Sequence, residues 1–251
     1  MLNILLSGCN GRMGQAVSRL VAARDNERIS AGVDIAAAQN CEYPVYAELS
    51  DVRENVDVVI DFSLPDNLST VLSYCLDRNL PVVLAVTGYD DAAKVQIREA
   101  SQSIAVFQSG NMSLGANLLM DLAAKAATIL GEHFDVEIIE RHHGNKLDAP
   151  SGTALAIYNR VAEALPYQPH PQYDRSQLRT KRTHNEIGMH AVRGGTIVGD
   201  HDVVFAGHDE VLEIKHSASS REIFAVGAVS AAKFIVSQSP GLYGMRELIK
   251  G

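Results

Sequence analysis

The chain has few cysteines, no excess of basic residues and no long apolar run, and each deficit excludes a class of protein. Its three cysteines, Cys9, Cys41 and Cys75, are widely spaced, so they provide neither a disulfide framework nor a Cys-x-x-Cys metal motif. The formal net charge is −8. Nucleic acid is therefore not expected as a partner, because a phosphate backbone requires a basic surface. Any binding of an acidic molecule must be local.

An odd number of scattered thiols suits a reducing compartment. The first residues carry no basic leader, and the apolar run at residues 4–6 is too short for a signal peptide or a membrane span. We therefore expect a cytoplasmic protein without a membrane partner. A length of 251 residues with 46% hydrophobic residues suffices for one large domain or two medium-sized ones.

A glycine-rich turn follows the first apolar run. Residues 2–6 predict a buried strand, Gly8, Gly11 and Gly14 follow it, and an amphipathic helix pattern comes next. This order is the context of the dinucleotide fingerprint, in which glycines let a pyrophosphate approach the backbone amides. Asn10 replaces the second glycine of that pattern. We expect it at positive φ, where asparagine is the next-best residue.

Asp34 ends a second predicted strand at residues 29–33. It lies about twenty residues after the turn, where the fingerprint places the carboxylate that binds the adenosine ribose hydroxyls. No Lys or Arg occurs at residues 35–38. This pattern favours NADH and leaves NADPH possible; the structural alternative is a solvated acid in a turn.

Strands and helices alternate through the first half of the chain. Further strands are predicted at residues 56–62, 81–85 and 104–107, with helices at 68–76 and 90–103. The alternation predicts an α/β fold with a Rossmann-type doubly wound parallel sheet. Ligands of such sheets bind beyond the carboxyl ends of the strands. Residues 8–13, Phe62, Thr87 and Asn111 are therefore expected to share one crevice.

The second half predicts an α+β domain on a largely antiparallel sheet. Predicted helices cover residues 114–130, 151–165 and 222–237, and predicted strands cover 134–140, 189–192, 203–206 and 211–214. Hairpin-type signals occur at Gly194-Gly195, Gly199-Asp200 and residues 207–209, whereas residues 166–184 predict an exposed connection. An apolar free face of such a sheet commonly pairs with another subunit.

Three segments follow from these patterns. We assign residues 1–112 to a dinucleotide-binding domain and residues 113–221 to a substrate-binding and oligomerisation domain. Residues 222–251 are assigned to a C-terminal helix that returns to the first domain.

Residues 137–155 combine a strand end, a loop with proton donors and a helix start. Ser151, Gly152 and Thr153 open the helix, where unpaired N–H groups and the helix dipole attract a carboxylate or phosphate. Lys146 adds a point charge, and His142 and His143 titrate near neutral pH. The segment predicts a site that holds a small acid and protonates it. The structural alternative is an ordinary serine N-cap beside a solvated lysine.

The same segment carries a family resemblance. Residues 142–154, His-His-Gly-Asn-Lys-Leu-Asp-Ala-Pro-Ser-Gly-Thr-Ala, closely resemble the signature of the dihydrodipicolinate reductases of lysine and diaminopimelate biosynthesis. The segments 8–14, 87–88, 111–115 and 192–200 are similar to other family blocks, so the resemblance covers the whole chain. It implies hydride transfer from NADH or NADPH to a cyclic unsaturated dicarboxylic acid to give tetrahydrodipicolinate. It also implies a homotetramer that associates through the second domain's sheet.

The resemblance implies residue roles as well. His142 and Lys146 are the two candidate proton donors, with Lys146 preferred and His142 assisting. The substrate-binding residues are His143, Lys146, Ser151, Gly152 and Thr153. The cofactor-binding residues are Gly8, Cys9, Asn10, Gly11, Arg12, Met13, Asp34, Ala85, Val86, Thr87, Ser109, Gly110, Asn111 and Met112. Many members carry Gly-Thr-Thr at 85–87, so backbone contacts are expected there.

Two other functions compete with a reductase. A non-catalytic nicotinamide-binding sensor or scaffold predicts loss of Lys146 or the histidines, all of which are present. The nine histidines suggest a metal-dependent hydrolase, but they lack His-Glu-x-x-His or similar ligand spacing, so no metal is expected.

Overall fold

The computed structural model describes residues 1–36 and 41–250. The chain divides into two compact units. The first comprises Met1–Leu114 and Glu222–Gly251, and the second comprises Gly115–Arg221.

The described residues form twelve strands and seven α-helices. The strands are β1 Leu2–Ser7, β2 Glu27–Val33, β3 Val45–Tyr46, β4 Val58–Asp61, β5 Val82–Leu84, β6 Ala105–Gln108, β7 Asp135–His142, β8 His170–Gln172, β9 Glu186–Arg193, β10 Gly199–Ala206, β11 Val211–Ala218 and β12 Gly241–Tyr243. The helices are α1 Arg12–Ala22, α2 Leu68–Arg78, α3 Asp91–Ala100, α4 Leu114–Leu130, α5 Gly152–Ala164, α6 Glu222–Ile235 and α7 Met245–Lys250.

The first unit is built on a seven-stranded sheet in the order β12-β6-β5-β4-β1-β2-β3. Every pairing in it is parallel. Its central strands are apolar along their length because helices cover both faces. One core packs the sheet against α1 and α6, and the other packs it against α2 and α3. This arrangement confirms the predicted Rossmann-type fold.

The strand order reverses between β1 and β4. From β1 the chain proceeds to β2 and β3 on one side, whereas β4, β5 and β6 extend the sheet on the other. Ser7 and Asp61, the last residues of β1 and β4, are register partners. The carboxyl ends of these two strands therefore form the topological switch point, where open α/β sheets bind their ligands.

The end of the chain contributes more to the first unit than the sequence indicated. Helix α6 ends at Ile235, and the chain then adds β12 beside β6 and finishes with α7. Strand β12 has only three residues, Gly-Leu-Tyr, and its small size explains why no periodicity revealed it.

The second unit contains a five-stranded sheet in the order β11-β10-β7-β9-β8. Helices α4 and α5 pack on one face, and Ala123, Ile157 and Phe205 lie in the core between them. Strand β7 alternates strictly, with Val136, Ile138, Glu140 and His142 buried and the intervening residues partly exposed. This period of two defines the inward face of the sheet.

The second sheet is mixed, which differs from the expected predominance of antiparallel pairs. Strand β10 runs antiparallel to β11 and β7, whereas β9 runs parallel to β7 and β8. Because β7 lies between β9 and β10, Gly194-Gly195 joins strands that are not neighbours and forms no hairpin. Gly199-Asp200 begins β10 instead. The hairpin that does form joins β10 to β11, where Gly207 N–H donates to the Glu210 carbonyl at 2.9 Å.

Two further expectations about this unit need correction. Residues 166–184, predicted as an exposed connection, contribute β8 at the sheet edge through its pairing with β9. The second expectation was an apolar free face, but the outward face of the sheet carries ion pairs among its apolar residues. Arg141 pairs with Asp202 at 2.5 Å, and Glu137 contacts His190 at 2.7 Å.

No helix in the described ranges is both long and apolar enough to span a membrane.

Candidate active site

The glycine-rich turn between β1 and α1 is closely packed backbone. Gly8 has φ +75°, and a Cβ there would lie 2.8 Å from the Phe62 carbonyl carbon. A Cβ on Gly14 would lie 2.3 Å from the Gly8 oxygen. Only glycine fits these two positions without a backbone shift. Helix α1 begins after Gly11, which has no side chain to cap the helix, so the first N–H groups of α1 depend on other partners.

Asn10 corrects one expectation. Asn79, at the end of α2, is the non-glycine residue with positive φ in the described chain, so Asn10 does not adopt that conformation. Its backbone N–H donates to Asp34 Oδ2 at 3.0 Å, and its side chain donates to the Ala36 carbonyl at 2.9 Å. Asparagine therefore connects the turn to the end of β2, a contact that glycine could make only through its backbone.

A cavity of about 490 Å³ lies beside the turn, and Gly8, Gly11, Asp34 and Phe62 line it. Asp34 accepts hydrogen bonds from the Asn10 and Ala36 amides at 3.0 Å each. The described lining also includes Glu48 and Asp66 but no Lys or Arg. Of residues 35–38, in which the sequence lacks a base, Ala37 and Ala38 lie outside the described residues.

The remaining predicted cofactor residues lie at the ends of the neighbouring strands β5 and β6. Ser109 N–H donates to the Leu84 carbonyl at 3.2 Å, and a Cβ on Gly110 would lie 3.8 Å from Thr87 Cγ2. Thr87 and Asn111 are thus at the same edge of the sheet as the turn, but they are not among the lining residues of the 490 Å³ cavity.

Three of the predicted cofactor side chains are buried. Cys9, Val86 and Met112 are 1%, 7% and 3% exposed, respectively, and belong to the apolar cores. Any contact that these residues make with a cofactor is therefore expected to use their backbone.

Glu140 is the centre of the polar cluster in the second unit. It lies on the inward face of β7 and is 1% exposed. Both of its oxygens accept from Arg193, at 2.8 and 2.7 Å. His142 Nδ1 is 2.6 Å from Oε2, and Ser151 N–H donates to Oε1 at 3.0 Å. One carboxylate thus joins β7, β9 and the start of α5.

This environment keeps Glu140 charged. Burial by itself raises the pKa of the Glu140 carboxyl, but hydrogen bonds from Arg193, His142 and the Ser151 amide outweigh it and lower the pKa below its usual range. A charged partner at Nδ1 directs that N–H toward the carboxylate. His142 Nε2 is then the ring nitrogen that can face a ligand.

Lys146 lies in the loop between β7 and α5. Its Nζ is 2.9 Å from Asp148 Oδ1, and this contact lowers the pKa of the Asp148 carboxyl. The loop is held at two points. Lys146 N–H donates to the His143 carbonyl at 3.1 Å, and Arg193 donates to the Asp148 carbonyl at 2.6 Å. His143 Nδ1 is buried and has no hydrogen-bond partner in the described part of the chain.

Ser151 is the N-cap of α5, as its position in the sequence suggested. Its Oγ accepts from Ala154 N–H at 3.1 Å and lies 3.2 Å from His201 Nε2. Ser151 itself is 2% exposed, whereas Gly152 is exposed and Thr153 is partly exposed. The structure therefore brings His142 and the α5 N-terminus together on Glu140, and Arg193 links the Lys146 loop to the same carboxylate through the Asp148 carbonyl.

Sequence reasoning missed Glu140, Arg193 and His201 as members of this cluster. A signal was present for Glu140, since it occupies an inward position of an alternating strand, where an acid needs a buried partner. His201 gives a similar indication, because it lies two residues before the buried Val203 on β10 and therefore on the same inward face. Nothing local indicates which partners these residues have.

Two family models match the chain in succession. The model described as dihydrodipicolinate reductase, N-terminus, matches residues 2–112, and the one described as dihydrodipicolinate reductase, C-terminus, matches residues 115–249. The chain belongs to the dihydrodipicolinate reductase family.

Individual members of the family show how similar the chain is to known proteins. It is 47% identical over 250 residues to the 4-hydroxy-tetrahydrodipicolinate reductase of Caldanaerobacter subterraneus subsp. tengcongensis, covering 100% of this chain and 99% of that protein. It is 44% identical to the Clostridium novyi enzyme, with the same coverage. The dipicolinate-bound dihydrodipicolinate reductase from Paenisporosarcina sp. TG-14 superposes with a TM-score of 0.84 at 27% identity, covering 98% of this chain and 99% of that one.

Family membership confirms the predicted NAD(P)H-dependent reductase of lysine and diaminopimelate biosynthesis. It supports an enzyme over a nicotinamide-binding sensor or scaffold. Within the described ranges, no group of three His, Cys, Asp or Glu side chains is arranged to hold a metal ion.

Proposed function

We propose that the cluster around Glu140 binds the dicarboxylate substrate and supplies the proton that follows hydride transfer from NADH. The reaction reduces dihydrodipicolinate, formed from 4-hydroxy-tetrahydrodipicolinate, to tetrahydrodipicolinate. The observation that carries this proposal is the buried Glu140 carboxylate, which orients His142 and the Ser151 amide together. The substrate class is supported by the dipicolinate-bound relative.

The substrate carboxylates are assigned to two subsites. The N-terminus of α5 provides backbone N–H groups and the positive end of a dipole, with Gly152 exposed at its first position. Lys146 and His143 provide the second subsite. Among the residues that the structure describes, the Nδ1 atom of His143 is buried without a partner, and Asp148 is the carboxylate that pairs with Lys146. Two anion subsites suit a molecule with two carboxylates.

Lys146 is proposed as the proton donor and His142 as the assisting group. An ammonium carries three N–H donors, and the contact with Asp148 occupies one of them. His142 has its Nδ1 directed at Glu140, so in the neutral ring Nε2 is an acceptor that can polarise or orient but not donate. Hydride addition creates a basic carbon that requires a general acid.

Replacing each donor candidate in turn tests this assignment. We expect Lys146→Met to lower kcat by about 10²–10⁴-fold, the usual contribution of a general acid. His142→Gln, which keeps a polar group but not the imidazole, is expected to lower kcat less. Lys94→Met, on the surface of α3, is the matched control and is expected to retain full turnover. Full turnover in Lys146→Met, with His142→Gln inactive, would reverse the two roles.

The preference for NADH rests on the charge of the cavity beside the glycine turn. The described lining contains Asp34, Glu48 and Asp66, and a 2′-phosphate would be repelled by these carboxylates. Asp34 is at the end of β2, where it can accept from ribose hydroxyls. We expect Asp34→Asn to lower kcat/KM for NADH by about tenfold to a hundredfold and to improve use of NADPH. A wild-type enzyme that prefers NADPH would refute this assignment.

The subunits are proposed to form a homotetramer through the outward face of the five-stranded sheet. Val192 and Val211 are 44% and 60% exposed on that face, beside the ion pairs of Arg141 and Glu137. Sedimentation equilibrium is expected to give about four times the chain mass of 27.1 kDa. A monomeric mass at enzymatically active concentrations would contradict the proposal.

A further inference from the structure

His201 is buried beside the substrate site but is not one of its proposed ligands. It is 5% exposed on the inward face of β10. Its ring packs edge-on against His142, with centroids 5.3 Å apart and planes at 75°. Its Nε2 is 3.2 Å from Ser151 Oγ, and its Nδ1 is buried without a partner among the described residues.

The hydrogen bonds of Ser151 determine which His201 nitrogen carries the proton. Ser151 Oγ already accepts from Ala154 N–H. A hydroxyl has one proton to donate, and in a buried position that proton needs an acceptor. His201 Nε2 is within reach, and the tautomer that gives the hydroxyl proton an acceptor has Nε2 unprotonated and the ring proton on Nδ1. A second proton on His201 would remove the acceptor and leave the Ser151 hydroxyl proton without a partner.

The groups around His201 keep it neutral. Burial and the neighbouring His142 lower its pKa to about 4, against the smaller opposing effects of Glu140 and Asp200. His216 on β11 is the cross-strand partner of His201, and burial lowers the pKa of His216 too. From α5, the facing group is the uncharged Ser151. A neutral imidazole is therefore the stable form of His201 near pH 7.

We propose that His201 is a positioning residue for this reaction: as a neutral imidazole it accepts the hydroxyl proton of Ser151 and thereby fixes the substrate-binding N-terminus of α5. The inference rests on the proposed function of that helix N-terminus. Ser151 uses its amide for Glu140 and its hydroxyl for Ala154 and His201. Its part in substrate binding is thus to hold the amides of Gly152 and Thr153 in place.

A double-mutant cycle between the two residues tests the inference. We expect His201→Leu to weaken dipicolinate binding, measured by calorimetry, and to raise KM for the substrate, each by about fivefold to tenfold. KM for NADH is expected to stay unchanged. Ser151→Ala is expected to produce a similar loss. The double variant is expected to be no worse than the weaker-binding single variant, because the two side chains act as one unit.

Two variants separate hydrogen bonding from packing. His201→Gln can place an oxygen acceptor near the position of Nε2, and we expect it to recover most of the binding that His201→Leu loses. His208→Leu makes the same change at an exposed position in the β10–β11 turn and is expected to bind dipicolinate like the wild type. If His201→Leu does not fold, His201→Phe, whose ring also lacks an acceptor, takes its place in the cycle with Ser151→Ala.

Unchanged dipicolinate binding in His201→Leu, or losses that multiply in the double variant, would overturn the inference. Lys146→Met distinguishes this failure from a failure of the proposed function. If Lys146→Met weakens dipicolinate binding while His201→Leu does not, His201 has no positioning role although the site is correct. If neither variant weakens binding, the substrate site itself is misassigned.

Discussion

Two helix N-termini carry the proposed ligand sites, and they are constructed in opposite ways. Helix α1 begins after Gly11, which provides no side-chain cap, and its approach is shaped by Gly8 and Gly14. Helix α5 begins after Ser151, whose hydroxyl caps it and contacts His201. At the N-terminus of α1, glycines leave the backbone uncovered. At the N-terminus of α5, buried polar side chains hold the backbone in place.

The difference follows from what each terminus is proposed to bind. A pyrophosphate needs close approach to backbone amides, which glycine alone permits. A small dicarboxylate needs fixed anion subsites and a proton donor at a defined place, which side chains supply. The hydrogen bonds at the two termini also differ in how far apart their partners lie in the sequence. Gly11 N–H donates to the nearby Gly8 carbonyl, whereas the Ser151 contacts reach 11 residues to Glu140 and 50 residues to His201.

The largest expected effect comes from removing a buried side chain that holds the N-terminus of α5. We expect Glu140→Ala to lower the free energy of unfolding of the second unit by about 3–5 kcal/mol, because it leaves Arg193 and His142 without their buried partner. Urea denaturation measures the loss, and hydrogen exchange of the Ser151 amide locates it. Glu163→Ala, at an exposed position of α5, is the control and is expected to cost about 0.5 kcal/mol or less. Equal losses would remove the contrast between buried and exposed acids.

A smaller effect is expected at the N-terminus of α1, where close backbone packing shapes the proposed NADH site. In Gly14→Ala the added Cβ meets the backbone of Gly8 and Cys9. Such overlap costs about 1–3 kcal/mol, so we expect NADH binding to weaken about tenfold to a hundredfold. Gly244→Ala is the control, since a Cβ there makes ordinary contacts at 3.5 Å. Alanine favours a helix over glycine by about 1 kcal/mol, so without the overlap Gly14→Ala would stabilise α1. A stabilised Gly14→Ala enzyme with intact NADH affinity would therefore contradict the expected overlap.

The last effect, which is small within any one pH unit, is a pH dependence that only the α5 terminus is expected to show. His201 stays neutral in the folded chain down to about pH 4, whereas in the unfolded chain it takes up a proton near its usual 6.5. Between these values the unfolded state binds more protons, so the free energy of unfolding falls as pH decreases. One proton contributes at most about 1.4 kcal/mol per pH unit.

Comparison of two glutamine variants isolates that contribution. His201→Gln removes the titrating group, and we expect its stability to fall less steeply than that of the wild type between pH 6.5 and 4. His208→Gln, in the exposed turn, is expected to keep the wild-type slope. Identical slopes in all three proteins would show that His201 titrates alike in the folded and unfolded states.

The sequence was most informative where structure is local. Alternating strands and helices predicted the parallel sheet, and the predicted helix at residues 114–130 matches α4 in both bounds. The glycine turn and the Lys146 loop were also visible, because each depends on residues close together in the chain. Strand pairing was less visible, since the position of β7 between β9 and β10 depends on contacts across the whole second unit.

By itself, therefore, the sequence determined the fold class, the family and the segments that carry the candidate sites. Periodicity and glycine spacing express local backbone preferences, which any reader of the chain can recover. Only the tertiary structure placed Arg193 and His201 against Glu140 and Ser151 and gave Asn10 its contacts with Asp34 and Ala36. The physical reason is that the partner of a buried polar group is chosen by sheet order and register, which join residues far apart in the chain.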